Sequence, residues 1–162
     1  MELINSTTKD GGTLGYDKPM TPDQCAEFSL SLQDEIQKGD SYAILGSSPV
    51  GPACFAVIMQ SRMPNCRHIA NLSKGVVHPS HRGMGLVAKV FREIVDFSEA
   101  HDIELLTLDV REGTRAHLLW ETLGFRSFGV LDDYARVNGV KYRGHYMSQS
   151  VENLAKRLRL AN

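Results

Sequence analysis

Arg82, Gly83 and Gly85 fall close together in the run Val76-Val77-His78-Pro79-Ser80-His81-Arg82-Gly83-Met84-Gly85-Leu86-Val87-Ala88. The apolar residues ahead of them read as a strand and those behind as the start of a helix, with a tight glycine turn between. At such a junction several backbone N–H groups lack partners and point outward, backed by roughly half a unit of positive charge from the helix dipole. Glycines remove the side chains that would keep a phosphate away from those groups. Arg82 adds a fixed cation that suits phosphate oxygens. The device fits a pyrophosphate, although paired glycines also serve turns for backbone reasons alone.

Other chemistries fare worse. A nucleotide P-loop needs a Gly-Lys-Ser/Thr ending, which is absent. A dinucleotide fingerprint needs a later glycine or alanine and an acidic residue about twenty positions on; Glu104 is near that distance, but the glycine spacing is wrong. His78 and His81 lie three apart, yet Pro79 keeps them off a regular helix and no third ligand is evident, so they read as loop histidines and no metal is expected. Cys25, Cys54 and Cys66 are widely spaced and odd in number, which predicts free thiols in a reducing, cytoplasmic compartment.

The elements that must position this turn can be read from pattern. Thr21-Pro22-Asp23-Gln24 is a helix start, after which Cys25, Phe28, Leu32 and Ile36 recur at helical spacing until Gly39. Segments 42–45 and 53–59 read as strands joined by turn residues 47–51, and a third strand spans about 68–77. Beyond the glycines an amphipathic helix turns Val87, Val90, Phe91, Ile94 and Phe97 inward. A strand over 104–110 and a helix over about 114–123 follow, the latter with Ala116, Leu119, Trp120 and Leu123 in one stripe. Segments 125–134 and 141–148 can pair across Asn138-Gly139, a strong hairpin signal. Hairpin strands followed by strand–helix–strand–helix predict an α/β fold on a mixed sheet.

With 162 residues, 42% apolar and 23% charged, the chain suits one domain, residues 1–162, with one core. The net charge of −1 and scattered basic residues give no nucleic-acid footprint. Lys156, Arg157 and Arg159 read as the solvated face of a final helix. The longest apolar run, 53–59, is too short to cross a bilayer, and no leader pattern opens the chain, so no membrane partner is expected.

Residues 77–87 resemble the acetyl-CoA-binding motif of the GNAT acetyltransferases, V-x-P-x-x-R-G-x-G-x-G/A. A second block, Ala116-His117-Leu118-Leu119-Trp120-Glu121-Thr122-Leu123-Gly124-Phe125, resembles the family's later A-x-x-L-Y-x-x-x-G-F element. The resemblance covers about residues 11–149 and is closest to the tabtoxin-resistance-like subgroup, over 10–16, 74–79, 105–113 and 129–135. It implies the GNAT fold, a central, mostly antiparallel sheet with flanking helices, and an N-acetyltransferase that moves an acetyl group from acetyl-CoA to a small-molecule amine by direct attack. Val76 and Val77 would then offer backbone groups to the pantetheine arm. The amides of Gly83, Met84, Gly85, Leu86, Val87 and Ala88, with Arg82, would hold the pyrophosphate. A backbone N–H near Val77 would polarise the thioester carbonyl, in a slot between the strands ending at Val77 and Val110.

Departures from the motif carry expectations of their own. Val87 stands where the family has Gly or Ala and is expected to crowd the phosphates. Trp120 replaces a tyrosine acid, which is tolerable because a thiol with a pKa of about 8.5 leaves readily as thiolate; Trp120 is expected to pack on the core or the pantetheine. Asn71 stands where the subgroup has a carboxylate, in the part that contacts substrate. An alkylamine with a pKa of about 10.4 is almost wholly protonated at neutral pH, so a base is needed, and Asp109 is the candidate, as amine-binding carboxylate or base. Tyr134 is placed at the acceptor mouth or as a packed hairpin aromatic. His117 and Glu112 are weaker candidates with helix-surface roles. The family's opening strand has no counterpart, since residues 1–9 align with the end of its first helix, and the bare sheet edge predicts a substituted edge or a homodimer. Two further readings stay open: a degenerate acyl-CoA-binding or protein-interaction module, and a structural module without coenzyme.

Overall fold

Thr21 starts the longest helix as its type predicts. The computed structural model describes residues 2–9, 14–16 and 18–160, so positions 10–13 of the subgroup-like stretch lie outside the described residues. The Thr21 hydroxyl accepts from the Gln24 N–H at 3.3 Å, and the Gln24 side chain accepts from the Thr21 N–H at 2.9 Å. These reciprocal bonds satisfy donors that a helix end leaves unpaired. The chain runs α1 (Glu2–Lys9), α2 (Pro22–Gln37), β1 (Ser41–Ser48), β2 (Gly51–Gln60), β3 (Ile69–Val77), α3 (Leu86–Ala100), β4 (Leu105–Arg111), α4 (Arg115–Thr122), β5 (Arg126–Val137), β6 (Val140–Ser150) and α5 (Val151–Leu160).

One mixed sheet of six strands forms, ordered β1-β2-β3-β4-β6-β5, and every neighbouring pair is antiparallel except β3–β4. That parallel seam is short. It pairs Ile69 with Leu105, Ala70 with Leu106 and Asn71 with Thr107, and there it ends, although both strands continue. The β5–β6 hairpin closes through Asn138 (φ +52°) and Gly139 (φ +79°), the left-handed pair that suits a two-residue hairpin turn.

Apolar residues from alternate strand positions meet α3 and α5 on one face of the sheet. Leu106, Leu154, Ile58, Ile94 and Met147 are fully buried there, and each such burial contributes about 1.5–3 kcal/mol. On the opposite face α1 buries Leu3 and Ile4 and contacts β2 and β3. The stripe expected on α2 faces inward only in part. Cys25, Phe28 and Leu32 are half-buried and Ile36 is exposed, because α2 contacts the outermost strand β1 rather than the sheet centre.

The later helix α4 departs from its expected stripe. Ala116 is exposed, and the buried residue of α4 is His117, which the sequence places on the helix surface. The helix is rolled by about one position, so His117 and Trp120, three apart, form the inward face. Lys156, Arg157 and Arg159 lie on the exposed side of α5. No described helix is long and apolar enough to cross a membrane, and no described group of His, Cys, Asp or Glu has the clustering of a metal site. Cys25, Cys54 and Cys66 are unpaired thiols.

Candidate functional site

The glycine turn leads into α3 as the sequence predicts. Gly83 (φ +80°) and Gly85 (φ +73°) both take the left-handed backbone, and Gly85 is the N-cap of α3. A Cβ built on either glycine would meet no heavy atom within 4 Å, so the space in front of the turn is open. The first intrahelical bond runs from the Lys89 N–H to the Gly85 carbonyl at 3.4 Å. The amides of Gly85, Leu86, Val87 and Ala88 therefore precede the ladder and are free to face a ligand. Arg82 is exposed at the head of this loop. The Val87 side chain is half-buried and packs against the core, which takes much of it away from the amides it was expected to crowd.

Below the turn, β3 and β4 part. Past Asn71 the edge of β3 that faced β4 loses its strand partner, so main-chain groups leading up to Val76 and Val77 line a gap. Trp120 reaches across from α4. Its ring meets Phe91 edge-on at 5.4 Å and Phe125 at 5.0 Å, and lies 3.8 Å from a Cβ built on Gly75. Trp120 is thus a packed core aromatic whose far edge closes the gap on the α3 side.

The sheet's other face carries the polar residues. Asn71 and Thr107 are register partners, and the Asn71 amide donates to the Thr107 hydroxyl at 3.4 Å. Strand alternation puts Asp109 on the same face two residues later. The Tyr134 hydroxyl donates to the Asp109 carboxylate. Its ring lies over Gly144, where a Cβ would overlap it, and meets Tyr146 edge-on at 6.4 Å. Burial, then the bond to Asp109, pushes the Tyr134 hydroxyl pKa well above the ordinary tyrosine value. Tyr134 is therefore a packed hairpin aromatic, one of the two expectations for it, and it is bonded to Asp109.

Lys74 enters this group without a role assigned from the sequence. β3 carries a bulge, with Lys74 and Gly75 opposite the single residue Ala56, and Lys74 has φ +54°. The bulge breaks the strand alternation at this residue and re-aims its side chain. The Lys74 ammonium donates to the Leu14 carbonyl at 2.8 Å and lies 5.2 Å from the Tyr16 ring centre and 6.0 Å from that of Phe28. Burial lowers its pKa, while the Asp109 charge acts in the opposite direction. The polar interruption Ser73-Lys74-Gly75 in an apolar strand was the available sequence signal.

His117 and Glu112 belong to a separate cluster. The His117 ring stacks on His145 at 4.5 Å, and its Nδ1 accepts from the Gly113 N–H at 3.4 Å. His145 Nε2 lies 3.0 Å from Glu112 Oε1, and Nδ1 lies 3.0 Å from Ser127 Oγ. The His145 contact, aided by Arg143, holds the Glu112 carboxyl below its usual pKa. His145 pairs in register with Val110, so this cluster lies on the core face, across the sheet from Asp109.

A model described as the acetyltransferase (GNAT) family matches residues 15–125, which takes in the glycine turn, the gap and α4. The chain belongs to that family. Solved structures share its fold at low sequence identity. A ribosomal-protein-alanine N-acetyltransferase from Brucella melitensis has TM-score 0.73 and 15% identity, with 91% of this chain and 90% of that one covered. An N-acetyltransferase from Staphylococcus aureus gives 0.72 and 17%, covering 91% and 88%. A Salmonella typhimurium protein solved with acetyl-CoA as its cofactor gives 0.73 and 16%, covering 93% and 85%.

GNAT acetyltransferases use acetyl-CoA as acyl donor, and the turn of this chain fits that group. The open space before Gly83 and Gly85, with the unladdered amides at the start of α3, suits a diphosphate by charge and by room. The unpaired β3 edge suits an extended amide-bearing arm. When bound, acetyl-CoA supplies an activated acyl carbon on a good leaving sulfur. Arg82 and the amides of residues 83–88 would hold its phosphates, and the Trp120 edge would wall its arm.

Proposed function

We propose that the protein acetylates the primary amine of a small molecule by direct attack, with no covalent enzyme intermediate. The observation that carries this reading is the Asp109–Tyr134 pair on the open side of β4, at the gap below the phosphate-binding turn. An acceptor ammonium would be held by the Asp109 carboxylate and would give its proton to it or to water, since only the neutral amine attacks. Tyr134 fixes that carboxylate by donating to it. Asn71, at the end of the seam, supplies an amide within the same face for the rest of the acceptor. The bond from Lys74 to Leu14 holds Leu14 against β3, which supports a small acceptor over a folded one.

Among the described residues the outer edge of β1 has no strand partner, and β1 exposes Leu45; this supports a homodimer formed along that edge, which sedimentation would register.

Acetyl-CoA binding by calorimetry, run beside thiol release over a panel of small amines, tests the reading. Binding with amine-dependent release is expected, and Arg82→Glu should raise the Michaelis constant for acetyl-CoA. Binding without release from any amine would replace it with a coenzyme-binding module.

A further inference from the structure

Among the lysines whose side chains are described, only Lys74 is not exposed. It lies on β3 three residues beyond Asn71, where the pairing with β4 ends, and within the electrostatic reach of Asp109. What surrounds it is what proteins use to hold an alkylammonium: the Leu14 carbonyl at 2.8 Å, the Tyr16 and Phe28 ring faces at 5.2 and 6.0 Å, and the carboxylate field of Asp109. The bulge at Lys74 and Gly75 explains how a strand residue gets there, because the extra residue re-aims the side chain. An amine of the chain itself thus occupies an ammonium-holding cage beside the end of the β3–β4 seam. Burial holds Nζ below the usual lysine value, so more of it is neutral than at the protein surface.

We propose that Lys74 is itself an acetyl acceptor, modified in cis by the acetyl-CoA bound at the neighbouring turn. The inference rests on the acetyl-CoA reading above. The Lys74 ammonium first gives a proton to Asp109 or water. The nitrogen lone pair then attacks the thioester carbonyl carbon, an N–C bond forms and the C–S bond breaks. The bonding pair leaves on sulfur as CoA thiolate, and the second nitrogen proton neutralises that thiolate. The product is a neutral amide, which does not pass its acyl group to another amine, so the step occurs once per chain and is no intermediate in turnover. It also removes the Lys74 positive charge from the field of Asp109.

The test is incubation of the full chain with acetyl-CoA, followed by intact mass and peptide mapping. The expected result is the mass of one acetyl group, mapped to Lys74, appearing at a first-order rate independent of protein concentration. It should outpace labelling of the exposed Lys89 and Lys141, and it should vanish in Lys74→Arg. Mapping on the unaltered chain decides the matter even if that variant does not fold. If acetyl-CoA binds and amines are turned over while Lys74 stays unmodified, self-acetylation is overturned and the proposed function stands. A Lys74 rate that scales with protein concentration, or only matches surface lysines, also overturns it. If calorimetry finds no acetyl-CoA binding, the function falls and the inference falls with it.

Discussion

Replacing Gly85 with alanine separates a turn glycine from a phosphate-binding one. At φ +73° an alanine carries the left-handed strain of an L-residue, about 1–2 kcal/mol. Nothing lies within 4 Å of the added Cβ, so no clash adds to that strain. For a chain of this size the strain should lower the melting temperature by about 2–8 °C. Gly139 is the internal control: its φ is +79°, its added Cβ also meets nothing, and it sits in the β5–β6 turn far along the chain. Both variants should therefore lose similar stability. Only the Gly85 methyl would occupy the space where a diphosphate approaches the amides. Losing one hydrogen bond to a charged oxygen costs about 1.5–3 kcal/mol, roughly a tenfold to hundredfold weaker Kd. Thermal melts and acetyl-CoA calorimetry on the two variants give the comparison. If Gly85→Ala melts lower yet binds acetyl-CoA as tightly as Gly139→Ala, the coenzyme's phosphates do not sit on this turn and the reasoning is wrong.

Three more expectations follow from the site. Asp109→Asn should cut amine turnover by at least about tenfold, the low end of acid–base contributions, with the acetyl-CoA Kd unchanged; unaltered turnover across the pH range would sink the assignment. Tyr134 has a raised folded pKa, so its stabilising effect is complete below the ordinary tyrosine value near 10 and is lost as pH climbs past it. Tyr134→Phe should accordingly flatten the fall in stability above about pH 10, as read from denaturant midpoints at successive pH values. Trp120→Ala removes a half-buried ring that packs on the buried Phe91 and Phe125 and should cost about 3 kcal/mol, measured by urea unfolding; a loss under about 0.5 kcal/mol, the size of an ordinary surface change, would show that the ring does not pack as described.

Features that depend on neighbouring residues were legible in the sequence. The Thr21–Gln24 cap, the Asn138-Gly139 hairpin, the Gly83 and Gly85 turn and the apolar face of α3 are local, and each formed where its residue types pointed. The site's side chains come together through pairings that pattern does not encode. Tyr134 and Asp109 meet because β5 folds back along β6 and β6 lies beside β4. His117 is hidden by a ring from β6, so its polarity pointed outward while its stacking on His145 turned it in. Lys74 depends on one surplus residue in a strand, visible only once the register with β2 is known.

The brevity of the β3–β4 seam has a mechanical consequence. With three residue pairs joining them, β1-β2-β3 and β4-β6-β5 behave as two leaves bound along one spine, and the spine is reinforced by α3 and α5 on a single side. Anything lodged where the leaves separate acts as a splint across the joint. Amide exchange in both leaves should then slow together on loading, even at strands the occupant never touches.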